Sequence, residues 1–349
     1  MKKVLGLILA IMMVLSSTAY AAEYFFADME SSHGAGMTND GTPVNFAREL
    51  VTEADGNSVV RIYQNRTDGS ENVIQTRWQK SGTTMQKGQK AFFMLDFKLV
   101  RENEGQVSFV RNTAKEGYVI FEFMTGGGTR TVFNLLDVNA VPNANPARSI
   151  LILPKVNTWY TYLFIYDENF QGWELYRKER DVVGEFIKLF GGTAPNNTTG
   201  HSDASIRFYN NKSVEYRVDN VHAWQGSYGR DGSFKIGTEA INTIEQVTSG
   251  TLSASIDVVN ANYQAAINAA GTALRRIAIQ PLMVVYDKNG YMIDCVQPAS
   301  VSAQIGRNTV SMEADTSGFY DKIEDGYIGY YVFDNMTNLE PLAEPMELN

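Results

Sequence analysis

The chain has 349 residues, a net charge of −9 and a charged fraction of 20%. Its acids are spread along the sequence, and no stripe gathers the Lys and Arg that binding to a phosphate backbone requires, so nucleic acid is not an expected partner. A single cysteine, Cys295, leaves no internal disulfide and all but rules out a structural zinc site, so the fold must be held by its cores.

Lys2 and Lys3 precede an apolar run from Val4 to Leu15, and Ala19-Tyr20-Ala21 then places small residues where a signal peptidase reads them. Residues 1–22 are therefore expected to be a cleavable secretory signal peptide. The run is shorter than the roughly 20 apolar residues of a spanning helix, and no second run follows. A secreted protein without a transmembrane segment in its mature chain is the expectation.

The rest reads as β structure. Tyr and Phe stand at 18 each, and they favour pleated, half-buried surfaces. Asn45 to Val51 can be a short helix or a loop turn. Ala91 to Val100 alternates Phe93, Leu95, Phe97 and Leu99 against Met94, Asp96 and Lys98, the period of a strand with one buried face. Tyr118 to Met124 and Thr131 to Leu136 flank a glycine cluster and predict a hairpin. Thr158 to Tyr166 is the most aromatic strand, turned by Asp167-Glu168-Asn169 and returned by Trp173 to Tyr176. Val182 to Leu189 again allows a short helix or turn. Ile206 to Tyr209 and Val214 to Trp224 predict a last pair joined around Asn210-Asn211-Lys212. Three glycines in Gly226 to Ser233 mark residues 227–233 as a linker. Beyond it, Thr251 to Val258 alternates, Leu282 to Tyr286 is a strand with Pro281 at its start, and Asn289-Gly290 predicts a type I′ hairpin turn. Cys295 sits in an apolar strand-like run and reads as a buried, inert thiol.

Two family resemblances enter here. Trp159 to Asp167 with Trp173 to Tyr176 resembles the strand pair near the end of concanavalin A-like and laminin-G-like jelly rolls. Tyr216-Arg217-Val218-Asp219-Asn220-Val221 is similar to the last strand of bacterial jelly-roll carbohydrate-binding modules, and Phe26 to Glu30 to their opening strand. The C-terminal part, through Thr251 to Val258, Met283 to Gly290 and Tyr330 to Met336, resembles immunoglobulin-like or fibronectin III-like domains of secreted bacterial proteins. Together they imply an all-β chain: a jelly-roll β-sandwich over 23–226, a linker, and a smaller immunoglobulin-like β-sandwich over 234–349.

Catalytic motifs are sparse. Three histidines and no nucleophile elbow argue against a Ser-His-Asp hydrolase. A glycosidase needs two carboxyls about 5 to 10 Å apart, and the acid strings of jelly-roll glucanases are missing. Binding is the preferred reading. With strands 91–100, 118–124, 131–136 and 158–166 in one sheet, the face away from the core presents Asp96, Lys98, Glu122 and Asn134 with Tyr160 and Tyr162, the mixture of acids, amides and rings that sugar recognition uses. Trp159 and Trp173 read as core, whereas Trp78 and Trp224 can be exposed. Neighbouring first and last jelly-roll strands bring acids to one seam, Asp28 and Glu30 with Asp219, a candidate structural calcium site. The expected partner is a polysaccharide or cell-envelope glycan. The alternatives are a structural or adhesion protein without a sugar site, and a polysaccharide lyase or glycoside hydrolase with an unrecognised acid pair.

Overall fold

The computed structural model describes residues 22–30, 37–40, 46–64, 74–80, 86, 88–101, 105–109, 118–124, 130–136, 155–169, 172–193, 204–210, 215–323 and 325–349. Of the signal peptide expected over 1–22, residues 1–21 lie outside them, as does the glycine cluster at 125–129; Ala22 opens the first strand. The chain divides into two compact units, Ala22–Gln225 with Ala269–Ala273 and Gly226–Asn268 with Leu274–Asn349. Both are built of antiparallel strands, and among the described residues helix is confined to single turns at Ile244–Gln246, Tyr263–Ala266 and Thr316–Gly318. No described helix is long and apolar enough to cross a membrane.

The first unit runs β1 (Ala22–Ala27), β2 (Met37–Asp40), β3 (Phe46–Thr52), β4 (Ser58–Gln64), β5 (Ile74–Lys80), β6 (Ala91–Arg101), β7 (Gly105–Phe109) and β8 (Tyr118–Met124). It continues with β9 (Arg130–Leu136), β10 (Trp159–Tyr166), β11 (Gly172–Glu179), β12 (Phe186–Thr193), β13 (Ala204–Asn210) and β14 (Glu215–Gln225). One sheet takes the order β12-β11-β10-β6-β14-β4-β3, with β1 also on β14; the other takes β2-β5-β13-β7-β8-β9. Residues 46–52 and 186–193 are strands, where the sequence allowed a helix or turn. The hairpins β8–β9 and β10–β11 form as expected. The pairing expected between β13 and β14 does not: β13 lies between β5 and β7, and β14 belongs to the other sheet.

The core of this unit is the face of the first sheet that carries Phe93, Leu95, Phe97 and Leu99 of β6, joined by Phe164, Tyr216 and Val218 and by Ile206 of the second sheet. Each large apolar side chain removed from water contributes roughly 2 kcal/mol, so the four on β6 together exceed the 2–4 kcal/mol typical of a disulfide. This is how a chain with one cysteine keeps its shape.

The second unit contains β15 (Tyr228–Ile236), β16 (Glu239–Ile241), β17 (Thr251–Asn260), β19 (Ile277–Tyr286) and β20 (Met292–Val296), with the two-residue β18 (Ala273–Leu274) at the division itself. Then come β21 (Val301–Ala303), β22 (Gly306–Asp315), β23 (Tyr327–Phe333) and β24 (Met346–Leu348). Sheets β16-β15-β17-β22 and β20-β19-β23-β24, the latter with β21 on β19, enclose one core that includes Leu252, Val258, Met283, Val310 and Tyr330. Pro281 lies inside β19 instead of at its start. Its pairing with Val332 falls between the stretches of β19 that meet β21 and β20, where a missing N–H leaves no ladder bond broken. At the β19–β20 turn only Gly290 has positive φ, and the Asp287 carboxylate accepts the Asn289 and Tyr291 N–H groups. The expected type I′ pair is thus replaced by a turn built on an aspartate side chain. Cys295 is half-buried.

Residues 227–233 are not a linker. Tyr228 to Ile236 pairs with β17 over its length, and its glycines serve close packing. A Cβ on Gly229 would stand 2.6 Å from Ala343 Cβ and 2.9 Å from Ile256 Cδ1, and one on Gly232 would meet Met346 Sδ. Glycine content signalled mobility in the sequence, but here it signals contact. Gly229→Ala is therefore expected to destabilise the protein by roughly 1–3 kcal/mol through overpacking, read as a lower urea midpoint; an unchanged midpoint contradicts this packing.

Candidate functional site

Register decides which side chains share a face, because residues directly opposite on paired strands point the same way. Away from the core, the first sheet carries four cross-strand rows. The first runs Trp159, Lys98, Arg217, Arg61 and Glu49 across β10, β6, β14, β4 and β3. The second runs Lys178, Thr161, Asp96 and Asp219. The third and fourth turn apolar, through Tyr176, Leu163, Met94, His222 and Phe26, then Ile165, Phe92 and Trp224. The polar half is the candidate site.

Three cations in register, Lys98, Arg217 and Arg61, repel one another, and carboxylates interleave to offset them. Arg61 donates to Glu215 at 2.7 and 3.0 Å and to Glu49 at 2.7 Å. Arg217 donates to Glu53 Oε1 at 2.8 Å, while Lys98 Nζ takes the other oxygen, Glu53 Oε2. Glu53 comes from the β3–β4 turn, not from the sheet. That turn, closed by Glu53 N–H to the Asn57 carbonyl at 2.8 Å, is fastened at alternate positions. Asp55 lies 3.9 Å from Arg180, and Asn57 Nδ2 donates to Asp219 Oδ2 at 2.9 Å. The Trp159 ring carries two cations, with Arg180 Cζ 4.3 Å and Lys98 Nζ 4.9 Å from its centroid.

In the second row two acids face each other. Asp96 and Asp219 are 5% and 2% exposed. Asp96 accepts from Thr161 Oγ1 at 2.6 Å and Asn220 Nδ2 at 2.9 Å; Asp219 accepts from Asn57, from Asn220 Nδ2 at 3.3 Å and from Arg180 at 3.4 Å. Asn220 thus bridges both carboxyls. It can because β14 bulges there: four residues from Asp219 to His222 face three on β6, Asp96 to Met94, and Asn220 adopts φ 47, a left-handed conformation that asparagine tolerates. Burial pushes the Asp96 carboxyl up, against the hydrogen bonds of Thr161 and Asn220 and the charges of Arg180 and Lys178. Burial, helped by the Asp96 charge and opposed by Asn57, Asn220 and Arg180, raises Asp219 to about 6.

The expected groove is only partly assembled. Asp96 and Lys98 do share the outer face. Tyr160 and Tyr162 do not: they stand opposite Phe97 and Leu95 and are buried in the core. A strand apolar on both faces has no alternation to reveal its inward side. Glu122 of β8 and Asn134 of β9 belong to the other sheet, because β8 pairs with β7 and β9 and not with β6. Nor do Asp28, Glu30 and Asp219 form one set. β1 does lie beside β14, but Met29, with φ 63 and fully buried, turns inward, which leaves Asp28 and Glu30 exposed while Asp219 is enclosed by its own partners. Among the described residues no three His, Cys, Asp or Glu side chains gather as a metal set. Trp173 is core as expected, but Trp159 lies on the outer face, and Trp224 is fully buried between Phe92 and His222. Trp78 lies outside the described side chains. Sequence reasoning missed Glu53, Asn57, Arg180, Arg217 and Asn220; only the Asp219-Asn220 string hinted at them.

In the second unit a depression of about 340 Å³ is lined by Asn262, Gln264, Asp334, Asn335 and Asn338 among others. The Asp334 carboxylate is occupied by Asn335, Asn338 and the Glu340 N–H, so it organises its own loop.

No protein-family model matches the chain, and neither does any curated protein. Solved structures that resemble it include a carbohydrate esterase from the Shiga toxin-encoding bacteriophage phi24B (13% identity, 59% of this chain, 99% of that one, TM-score 0.36). A Lotus tetragonolobus seed lectin is similar at 11% identity, 58% and 97% coverage and TM-score 0.36. Winged bean acidic lectin with methyl-α-D-galactose is similar at 8% identity, 59% and 98% coverage and TM-score 0.37. At such values the likeness carries no argument about function. The all-β sandwich stands on the chain's own sheets.

The acid pair makes a prediction with a definite sign. Asp219 in the fold holds a proton up to about 6, against 3.8 for the free side chain. Its contribution to stability is therefore fully present below about pH 4 and is lost as pH rises through 6. A rise from 3.8 to about 6 corresponds to roughly 2–3 kcal/mol. Asp219→Asn, which keeps the neutral form at every pH, is expected to gain on the wild-type melting temperature between pH 4.5 and 7.5; a constant difference between the two curves contradicts the shift.

Proposed function

We propose that this is a carbohydrate-binding protein working outside the cell, and that its glycan lies on the outer face of the first sheet, against Trp159, Lys98, Arg180 and Arg217. One observation carries this reading: away from the core, an aromatic ring, three cations and a hydrogen-bonded acid pair converge on one sheet face. Sugar recognition uses rings for the apolar face of the pyranose and fixed polar groups for its hydroxyls. The jelly-roll and immunoglobulin-like readings of the two sandwiches, and an export leader, fit the same role. A polysaccharide or cell-envelope glycan is the partner class.

The acid pair itself favours a second reading, a glycan-cleaving enzyme, since facing carboxyls with raised proton affinity are what glycoside hydrolysis employs. Binding is preferred because both carboxyls are enclosed and engaged by Thr161, Asn57, Asn220 and Arg180, which leaves little room for a reacting bond.

A glycan array on the purified protein tests the proposal. Binding to a defined polysaccharide class is expected, with Trp159→Ala weakening it by about tenfold while the protein stays folded. An array without retained glycans, or binding indifferent to Trp159, rejects it. Reducing-sugar release that Asp219→Asn abolishes would establish the enzyme instead.

A further inference from the structure

We propose that the glycan is acidic, and that Glu53 occupies its carboxylate subsite in the free protein. This rests on the glycan-binding reading and deepens it to a ligand class with a built-in competitor.

The sheet by itself carries an imbalance. In the first row, Arg61 is matched by Glu49 and Glu215, both from strands. Lys98 and Arg217 stand side by side in register. Glu215 reaches Arg217 at 3.5 Å, but the group that spans both cations is Glu53, which enters from the turn between β3 and β4. Each of its two oxygens meets one cation, Oε1 with Arg217 and Oε2 with Lys98. Such two-point capture of a planar carboxylate is the strong, directional form of a charge-assisted hydrogen bond.

The geometry is that of a carboxylate-binding subsite with a carboxylate already in it. The subsite is nearly dry, with side chains of Lys98, Glu53 and Arg217 12, 16 and 22% exposed. Beside it lies the Trp159 ring, over which Lys98 and Arg180 sit, so a sugar packing on the ring would meet both cations. Next along the same turn, the exposed Asp55 faces Arg180, a second acid aimed at a second cation. A uronic acid polymer offers the same elements: carboxylates at regular spacing on rings with an apolar face. The turn that carries Glu53 is closed by its own backbone bonds and by Asn57 on Asp219, none of which uses the Glu53 side chain.

Calorimetric titration of the purified full chain tests this with hexagalacturonate, its methyl ester and the neutral cellohexaose. The acid is expected to bind, and Glu53→Gln, which keeps the volume but removes the competing charge, to bind it about tenfold more tightly. Lys98→Met should weaken the acid in both backgrounds. Acid binding unchanged by Glu53→Gln, or an ester bound as tightly as the acid, overturns the proposal. A second measurement needs no variant: wild-type affinity for the acid should fall with added salt as the charges are screened, and a flat salt dependence also overturns it. If cellohexaose binds and the acid does not, glycan binding stands and this inference fails; if nothing binds to either protein, both fail.

Discussion

Asp96 and Asp219 face each other on adjacent strands, both out of water, and much of the outer face of the first sheet is arranged around that fact. Two ionised carboxylates in such a position would repel each other at close range and each would lack its hydration. The fold answers with neutral donors from three directions, Thr161 of β10, Asn57 before β4 and Asn220 of β14, and with one cation in contact, Arg180. These partners tie the β3–β4 turn to the centre of the sheet, and the turn in turn delivers Glu53 to Lys98 and Arg217. The charged rows are therefore one connected structure, in which the acid pair positions the groups that would meet a ligand.

Strand β14 makes the arrangement possible. One of its edges is shared, by β4 along Glu215 to Val218 and by β1 along Val221 to Gln225. The handover falls at Asp219 and Asn220, and the bulge there lets Asp219, Asn220 and His222 serve the outer face while Val218, Val221 and Ala223 stay in the core. Irregular backbone at this point has a use that a regular strand would not provide. It places an amide between two carboxyls.

Much of the fold was legible in the residues. The alternation of Phe93, Leu95, Phe97 and Leu99 identified the buried face of β6, and the hairpins β8–β9 and β10–β11 followed from their turns. What alternation cannot supply is pairing between distant strands. Glu122 and Asn134 read as neighbours of Asp96 because their strands have the same style, yet they belong to the other sheet. Tyr160 and Tyr162 were misplaced by one face, the error expected when a strand is apolar on both sides. Asp96 and Asp219 were each singled out, one for sugar and one for metal; that they form one pair depends on a register and a bulge set by contacts over a hundred residues apart in sequence. Glu53 carried no local signal at all, since its meaning comes from the two cations it meets.

Carbon-13 NMR titration of the aspartate carboxyls addresses the central claim, that burial raises the proton affinity of both acids and that the Asp96 charge adds to the rise at Asp219. Two coupled carboxyl signals are expected, one with its midpoint at about 6, and a downward move of that midpoint when Asp96 is replaced by asparagine. Two independent titrations in the ordinary aspartate range near 4 would contradict it.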